Sequence, residues 1–386
     1  MTDTHTETNV LPQTICEFLT QTGAQVQFYD MGRRVVEISN DDMLAIERQQ
    51  TPYPQPFLRS ASLGVLFHYD NAEAQPEVDS YQIWFLKFPL DEKGLLSQDA
   101  RNDFLRRIIE TLAEQTLAKL TAENDTKNSA DAQSTSQNKT APDMPEDNPH
   151  GFTPREDRMA CFHAKVSKKL GQTPSHFYDH AADYFTGSAG FEQWNFVGLQ
   201  GIADVATRLD ENDNLNTLTQ AIPHLPITPF AALCGCLENE VVDPNLSTIL
   251  GIRLEHALQE KENDTSPSIV AAAIRGLSHG SDQMTLVKAI QSTLDTDIGH
   301  NVEVLATIAG RAWQCLEDAE TRRAFLLSLA RCEAGQSAFD NIMADLMFIP
   351  GLRKPLLDEL RGLRENGDCS LQQASSIDNF FQSLTT

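Results

Sequence analysis

Apolar and polar positions follow two different rhythms along this 386-residue chain. In the first third, short runs of aromatic and branched residues alternate with helical stretches. Gln13–Thr22 predicts a helix that stops at Gly23, where positive φ carries no steric cost. VQFYDMGRRVVEI (26–38) predicts two strands joined at the turn Asp30-Met31-Gly32. NDDMLAIERQQ (40–50) predicts a helix capped by Asn40 or Asp41. TPYPQPF (51–57), with three prolines in five residues, predicts an extended surface loop. SLGVLFHY (62–69) and YQIWFLKF (81–88) are the clearest strands. Ser97 is placed to cap a last helix, on which Phe104, Leu105, Ile108, Ile109 and Leu112 share one apolar face.

Beyond residue 150 the rhythm becomes helical and stays so. Thr153-Pro154-Arg155-Glu156 has the form of a capping box, followed by the stripe Met159, Phe162, Val166 and Leu170 and a stop at Gly171. Thr173-Pro174 opens the next helix. Further apolar segments are broken at Pro223, Pro226, Pro244, Pro267, Gly280, Gly299, Gly335, Pro350 and Gly367. Segments of this length with short breaks predict helical hairpins, and stacked hairpins form an α-superhelix; an irregular helical domain fits the same spacing. Between the two rhythms, residues 121–150 contain no Val, Ile, Leu or aromatic side chain, and Met144 is their one large apolar residue. Such a stretch cannot bury enough surface to offset its ordering entropy. The expected organisation is a small α+β domain at 11–120, a disordered acidic linker at 121–150 and an all-α domain at 151–386.

Composition narrows the function classes. Lys plus Arg total 30 against 55 Asp plus Glu, a formal charge of −25, and both domains share the acidity. Counterion replacement along nucleic-acid phosphates needs basic side chains, so nucleic acid is not an expected partner. An anionic membrane surface is excluded on the same ground. No apolar run reaches the length of a membrane span, and MTDTHTETNV has no signal-peptide character. Seven scattered cysteines without a Cys-x-x-Cys speak against a disulfide framework, and a reducing cytoplasm is the expected compartment.

Several phrases resemble an uncharacterised bacterial family, domain of unknown function 3549. They are YDMGRRV (29–35), PYPQPFLRSASLGVLF (52–67), IWFLKFPLDEKGLL (83–96), PSHFYDHAADYF (174–185) and VGLQGIAD (197–204). The resemblance covers both domains but not the linker. It implies a shared fold and a bacterial cytoplasmic setting, and it brings no catalytic or binding residue with it.

Among candidate sites, His176, His180 and Asp183 form the best constellation. Placed on one helix, His-x3-His puts two imidazoles on one face with a carboxylate beside them, a set able to hold a divalent metal. Phe177 stands where the metalloprotease pattern requires Glu, and a solvated helix face accounts for the same residues. Cys234 and Cys236 read as small buried residues of an apolar helix. His163, with an acid nearby, has the elements of a general base but no nucleophile to serve. Asp91-Glu92-Lys93-Gly94 reads as a charged turn closed by glycine, and Trp84 as core. Phe191, Trp194 and Phe196, ahead of Gly198 and Gly201, read as a close-packed core helix, with a partner groove as the functional alternative. Nucleotide-binding glycine motifs and the nucleophile elbow are absent, so no cofactor is expected. The leading expectation is a non-enzymatic interaction or scaffold factor whose helical domain receives a protein partner. The alternative is a metal-dependent, hydrolase-like enzyme built on His176, His180 and Asp183.

Overall fold

The computed structural model describes residues 12–69, 81–126, 144, 147–260 and 264–384. The chain divides into two units, Met1–Gly32 with Val36–Thr153, and Arg33–Val35 with Pro154–Thr386. Three residues between two strands of the first unit thus belong to the second.

The first unit is built on an antiparallel sheet of order β2-β1-β3-β4, with β1 Ala24–Asp30, β2 Val36–Ile38, β3 Ser60–Tyr69 and β4 Gln82–Pro89. All four strands fall on the stretches whose branched and aromatic residues predict them. The register sets Phe28 opposite Val65 and Val65 opposite Trp84, so one sheet face is continuously apolar. Helices α1 Ile15–Gln21, α2 Asn40–Glu47 and α3 Gln98–Thr126 complete the unit. Phe104 of α3 meets Trp84 and Phe88 edge-on, with ring centroids 5.7 and 5.9 Å apart. The expected stripe on α3 is buried at Phe104, Leu105 and Ile108, while Ile109 lies off the face, 37% exposed.

Four local expectations shift. The cap of α2 is Ser39, whose hydroxyl accepts from the Asp42 N–H (3.1 Å) one position earlier than anticipated. The proline-rich loop is not wholly at the surface, because Tyr53 is fully buried and donates to Asp30 Oδ1 (2.9 Å). The segment after the linker begins on the sheet: the Lys87 N–H donates to the His150 carbonyl (2.8 Å) and the Phe152 N–H to the Phe85 carbonyl (3.1 Å). This pairing holds the chain extended through Thr153, so the capping box does not form. Helix α4 starts at Glu156, after Arg155. Within the expected linker, residues 127–143 and 145–146 lie outside the described residues, and residues 121–126 are the end of α3.

The second unit is helical. Its helices are α4 Glu156–Lys169, α5 Tyr178–Phe185, α6 Leu199–Thr207, α7 Asn214–Ala221, α8 Ile227–Leu237, α9 Pro244–Gln259, α10 Ser266–Leu277, α11 Gln283–Leu294, α12 Val302–Arg311, α13 Ala319–Leu329, α14 Gly335–Leu346, α15 Arg353–Glu365 and α16 Leu371–Ser383. Even-numbered helices pack in series (α4 on α6, α6 on α8, and so to α16), and odd-numbered helices from α5 to α15 do likewise. Two parallel series cross-linked by hairpin contacts are the arrangement of stacked helical hairpins. The punctuation residues sit at helix ends, as Pro244 at the first turn of α9 shows with Asp243 capping it. Gly299 is obligatory in its turn, because an added Cβ would lie 2.7 Å from the Thr293 carbonyl oxygen.

Candidate functional site

The helical unit gathers charge where the C-terminal ends of α8, α10 and α12 meet the first turn of α4. Helix ends carry unsatisfied carbonyls and a partial negative charge, which favour cations. Glu238, the residue that closes α8, is completely buried. It accepts hydrogen bonds from Arg158 of α4 (2.9 Å) and Arg275 of α10 (2.7 and 3.1 Å). Arg311 at the end of α12 forms a third ion pair with it (3.1 Å). Burial alone would raise the carboxyl pKa, but Arg311, Arg275 and Arg158 together hold it below the usual carboxylate range. Arg311 is pulled down to about 9, first by burial and then by the neighbouring guanidiniums, and stays charged at neutral pH.

Against this frame lies the segment Arg33–Val35, bent at both arginines and almost without solvent exposure. Its backbone is held on both sides. The Val35 N–H donates to Asn239 Oδ1 (2.7 Å), and Arg158 donates to the Arg33 carbonyl (2.9 Å). Asn239 is fixed in turn by donating to the Gly235 and Cys236 carbonyls of α8 (3.0 and 3.1 Å). The Arg33 guanidinium donates to Asp345 Oδ2 of α14 (2.7 Å). Arg34 donates to the carbonyl of Ser278, which closes α10 (2.7 Å), and to the carbonyl of Arg311, the last residue of α12. Both guanidiniums face the Trp313 ring, at 5.3 and 4.6 Å from its centroid, within cation–π range. Beside them His279 is pushed down to about 4 by burial and then by the Arg34 and Lys165 charges, so it adds no further cation at neutral pH. The helix ends thus hold a bent backbone and two guanidiniums, with Val35 buried beside them.

The family described as Protein of unknown function (DUF3549) matches residues 12–377. The chain belongs to this family. No curated protein and no solved structure matches it. Family membership therefore accounts for the resemblance carried by YDMGRRV, whose Arg33, Arg34 and Val35 are the segment seated here.

The residues singled out from sequence lie elsewhere. His176 stands in the turn before α5, while His180 and Asp183 are on α5, all three exposed. The common helical face assumed for the two histidines is therefore not formed. The physical reason is Ser175, whose N–H and hydroxyl both donate to Asp204 Oδ2 (3.1 and 2.5 Å) and delay the helix start to Tyr178. Among the described residues no three His, Cys, Asp or Glu side chains are placed to share a metal ion. Cys234 and Cys236 are buried in α8, and burial pushes the Cys234 thiol up to about 12. Asp91 accepts from the Lys93 and Leu95 N–H groups (both 2.8 Å), and Gly94 has φ +78°, which makes a turn. Trp84 is core, with Phe67 at 4.5 Å. The expected core helix around Trp194 is instead a short 3-10 turn, and Phe196 is 75% exposed. Close packing does occur at Gly201, where a Cβ would lie 2.4 Å from the Phe177 carbonyl oxygen.

Sequence reasoning missed Arg33, Arg34, Arg158, Glu238, Asn239, Trp313 and Asp345. One signal was present: Glu238-Asn239 closes an otherwise apolar helix, ITPFAALCGCL, where a charge at a buried end requires cations.

Proposed function

We propose that this chain is a non-enzymatic protein-interaction factor that works through its helical unit. The observation that carries this reading is the seated segment Arg33–Val35, held by backbone and side-chain bonds across the ends of α8, α10, α12 and α14. Stacked helical hairpins supply extended surfaces of this kind and need no chemistry of their own. The formal charge of −25 favours a basic or mixed-charge protein partner over nucleic acid or an anionic membrane. No helix among the described residues is long and apolar enough to cross a membrane, and the free cysteines suit a reducing bacterial cytoplasm.

The test is a pull-down from native extract with the full chain, at low salt and above roughly 0.15 M, where the Debye length is about 8 Å. A partner retained at low salt and weakened at high salt is the expected result. The full chain is required, because a fragment starting at residue 151 lacks Arg33–Val35. Turnover of a small molecule with no protein captured at either salt would overturn the reading.

A further inference from the structure

We infer that the surface holding Arg33–Val35 is a recognition site for a bent Arg-Arg-aliphatic segment of a protein partner, and that residues 33–35 occupy it as an internal competitor. The inference rests on the interaction reading above and names the partner's chemistry.

Three observations carry it. First, the frame is assembled before any ligand is counted. Glu238 is neutralised by Arg158, Arg275 and Arg311, all from the helices, so it does not depend on Arg33 or Arg34. What remains to be satisfied are the Ser278 and Arg311 carbonyls, Asp345 and the Trp313 face, while Asn239 Oδ1, which Arg158 already reaches (2.8 Å), accepts a second bond from the segment. Second, these groups read a peptide in two separate ways. Asn239 and Arg158 take the N–H and C=O of the bent backbone whatever its sequence. Side chains are read by the carbonyls and the ring: one Arg34 nitrogen donates to both Ser278 and Arg311, while the flat guanidinium lies against Trp313, a stacking contact that a compact, strongly hydrated ammonium does not reproduce. Third, the resident segment leaves the site short of saturation. Arg33 reaches Oδ2 of the Asp345 carboxylate, and Asp345 Oδ1 is buried without a hydrogen-bond partner among the described residues. A segment not tethered at both ends can turn its guanidinium to take both oxygens. The resident segment holds the site by its high effective concentration, so a partner's segment gains access when the resident is weakened or displaced.

The experiment uses the full chain with Arg33→Ala and Arg34→Ala together, checked for native helicity, and a labelled peptide of residues 30–37 (DMGRRVVE). The peptide is expected to bind this variant at least tenfold more tightly than the wild type. Replacing both peptide arginines by lysine should weaken binding at least tenfold, and adding Asp345→Asn to the protein should weaken it severalfold. Should the double variant fail to fold, Arg34→Lys, which keeps the charge, takes its place, and the arginine peptide should raise its melting temperature while the lysine peptide does not. No binding to the folded variant, or equal binding of the two peptides, overturns the inference. The two readings fail separately: a partner captured by the wild-type chain that the arginine peptide does not compete away, even from the variant, leaves the interaction reading standing and overturns this one.

Discussion

Glu47 in the sheet unit and Glu238 in the helical unit are both completely buried, yet they titrate in opposite directions. Glu47 accepts the N–H groups of Ile15 (2.7 Å) and Cys16 (3.2 Å) at the start of α1. Burial dominates, the two backbone bonds and Arg101 offset it only in part, and its pKa rises to about 7. Glu238 is no better solvated, but three guanidiniums surround it and its pKa falls. Desolvation sets the sign where dipoles are the main compensation, and counter-charges set it where they outnumber the carboxylate. Glu238 therefore depends on the assembled cluster, whereas Glu47 is a charge its unit is better off neutralising.

The strongest way to break this contrast is Glu238→Ala. Three arginines would be left facing one another without their anion, and removing one partner of a buried ion cluster costs about 3–5 kcal/mol. Hydrogen exchange of the α8, α10 and α12 amides should report the loss, while β1 and β3 stay protected. A change below 1 kcal/mol in the helical unit would mean that the arginines, not the glutamate, organise the cluster.

Next in size is the pH dependence of the sheet unit. Glu47 has a raised folded pKa, so its contribution is fully present below its unfolded value near 4.5 and is lost as pH rises to about 7. That interval corresponds to roughly 3 kcal/mol at about 1.4 kcal/mol per unit. Glu238 has the opposite sign, its contribution being present above 4.5 and lost as pH falls through its depressed folded value. Glu47→Gln should flatten the sheet unit's response between pH 4.5 and 7. A wild-type sheet unit that gains stability across that interval would contradict the assignment.

The smallest expected effect sharpens the role of geometry. Arg275→Lys keeps the charge beside Glu238 but gives up the two-nitrogen contact at 2.7 and 3.1 Å. A loss of about 1–2 kcal/mol is expected by chemical denaturation, since an ammonium cannot reproduce a fork. A neutral outcome would show that charge alone holds the carboxylate.

The strands and helix breaks were legible because they are written locally. Val65, Phe67 and Trp84 announce a half-buried sheet, and Pro244 with Asp243 announces a helix start. The stacking of hairpins was legible only as spacing. The cluster itself was not, because its members are brought together from positions 33 to 345 and each looks ordinary alone. Arg33 and Arg34 read as hairpin residues, since nothing in the stretch between β1 and β2 says that helix ends lie against them. The histidines misled for a related reason: i and i+4 spacing implies a shared face only if the helix already exists at the first residue. Ser175, bonded to Asp204 twenty-nine positions away, prevents that.

The seating of Arg33 also sets an order of events during synthesis. Its acceptor on α14, Asp345, follows it by 312 positions. At a translation rate of roughly 5–20 residues per second, that partner arrives roughly 15–60 s after Arg33 has been made. The array of helices can grow by adding each new one to its predecessors, since most of its contacts join near neighbours in sequence. Arg33 must meanwhile wait beside a strand that can already pair. The newborn chain therefore seats the two arginines in turn, Arg34 once Ser278 and Arg311 are made and Arg33 only with Asp345, so that water stands in for the carboxylate partner of Arg33 until α14 is complete.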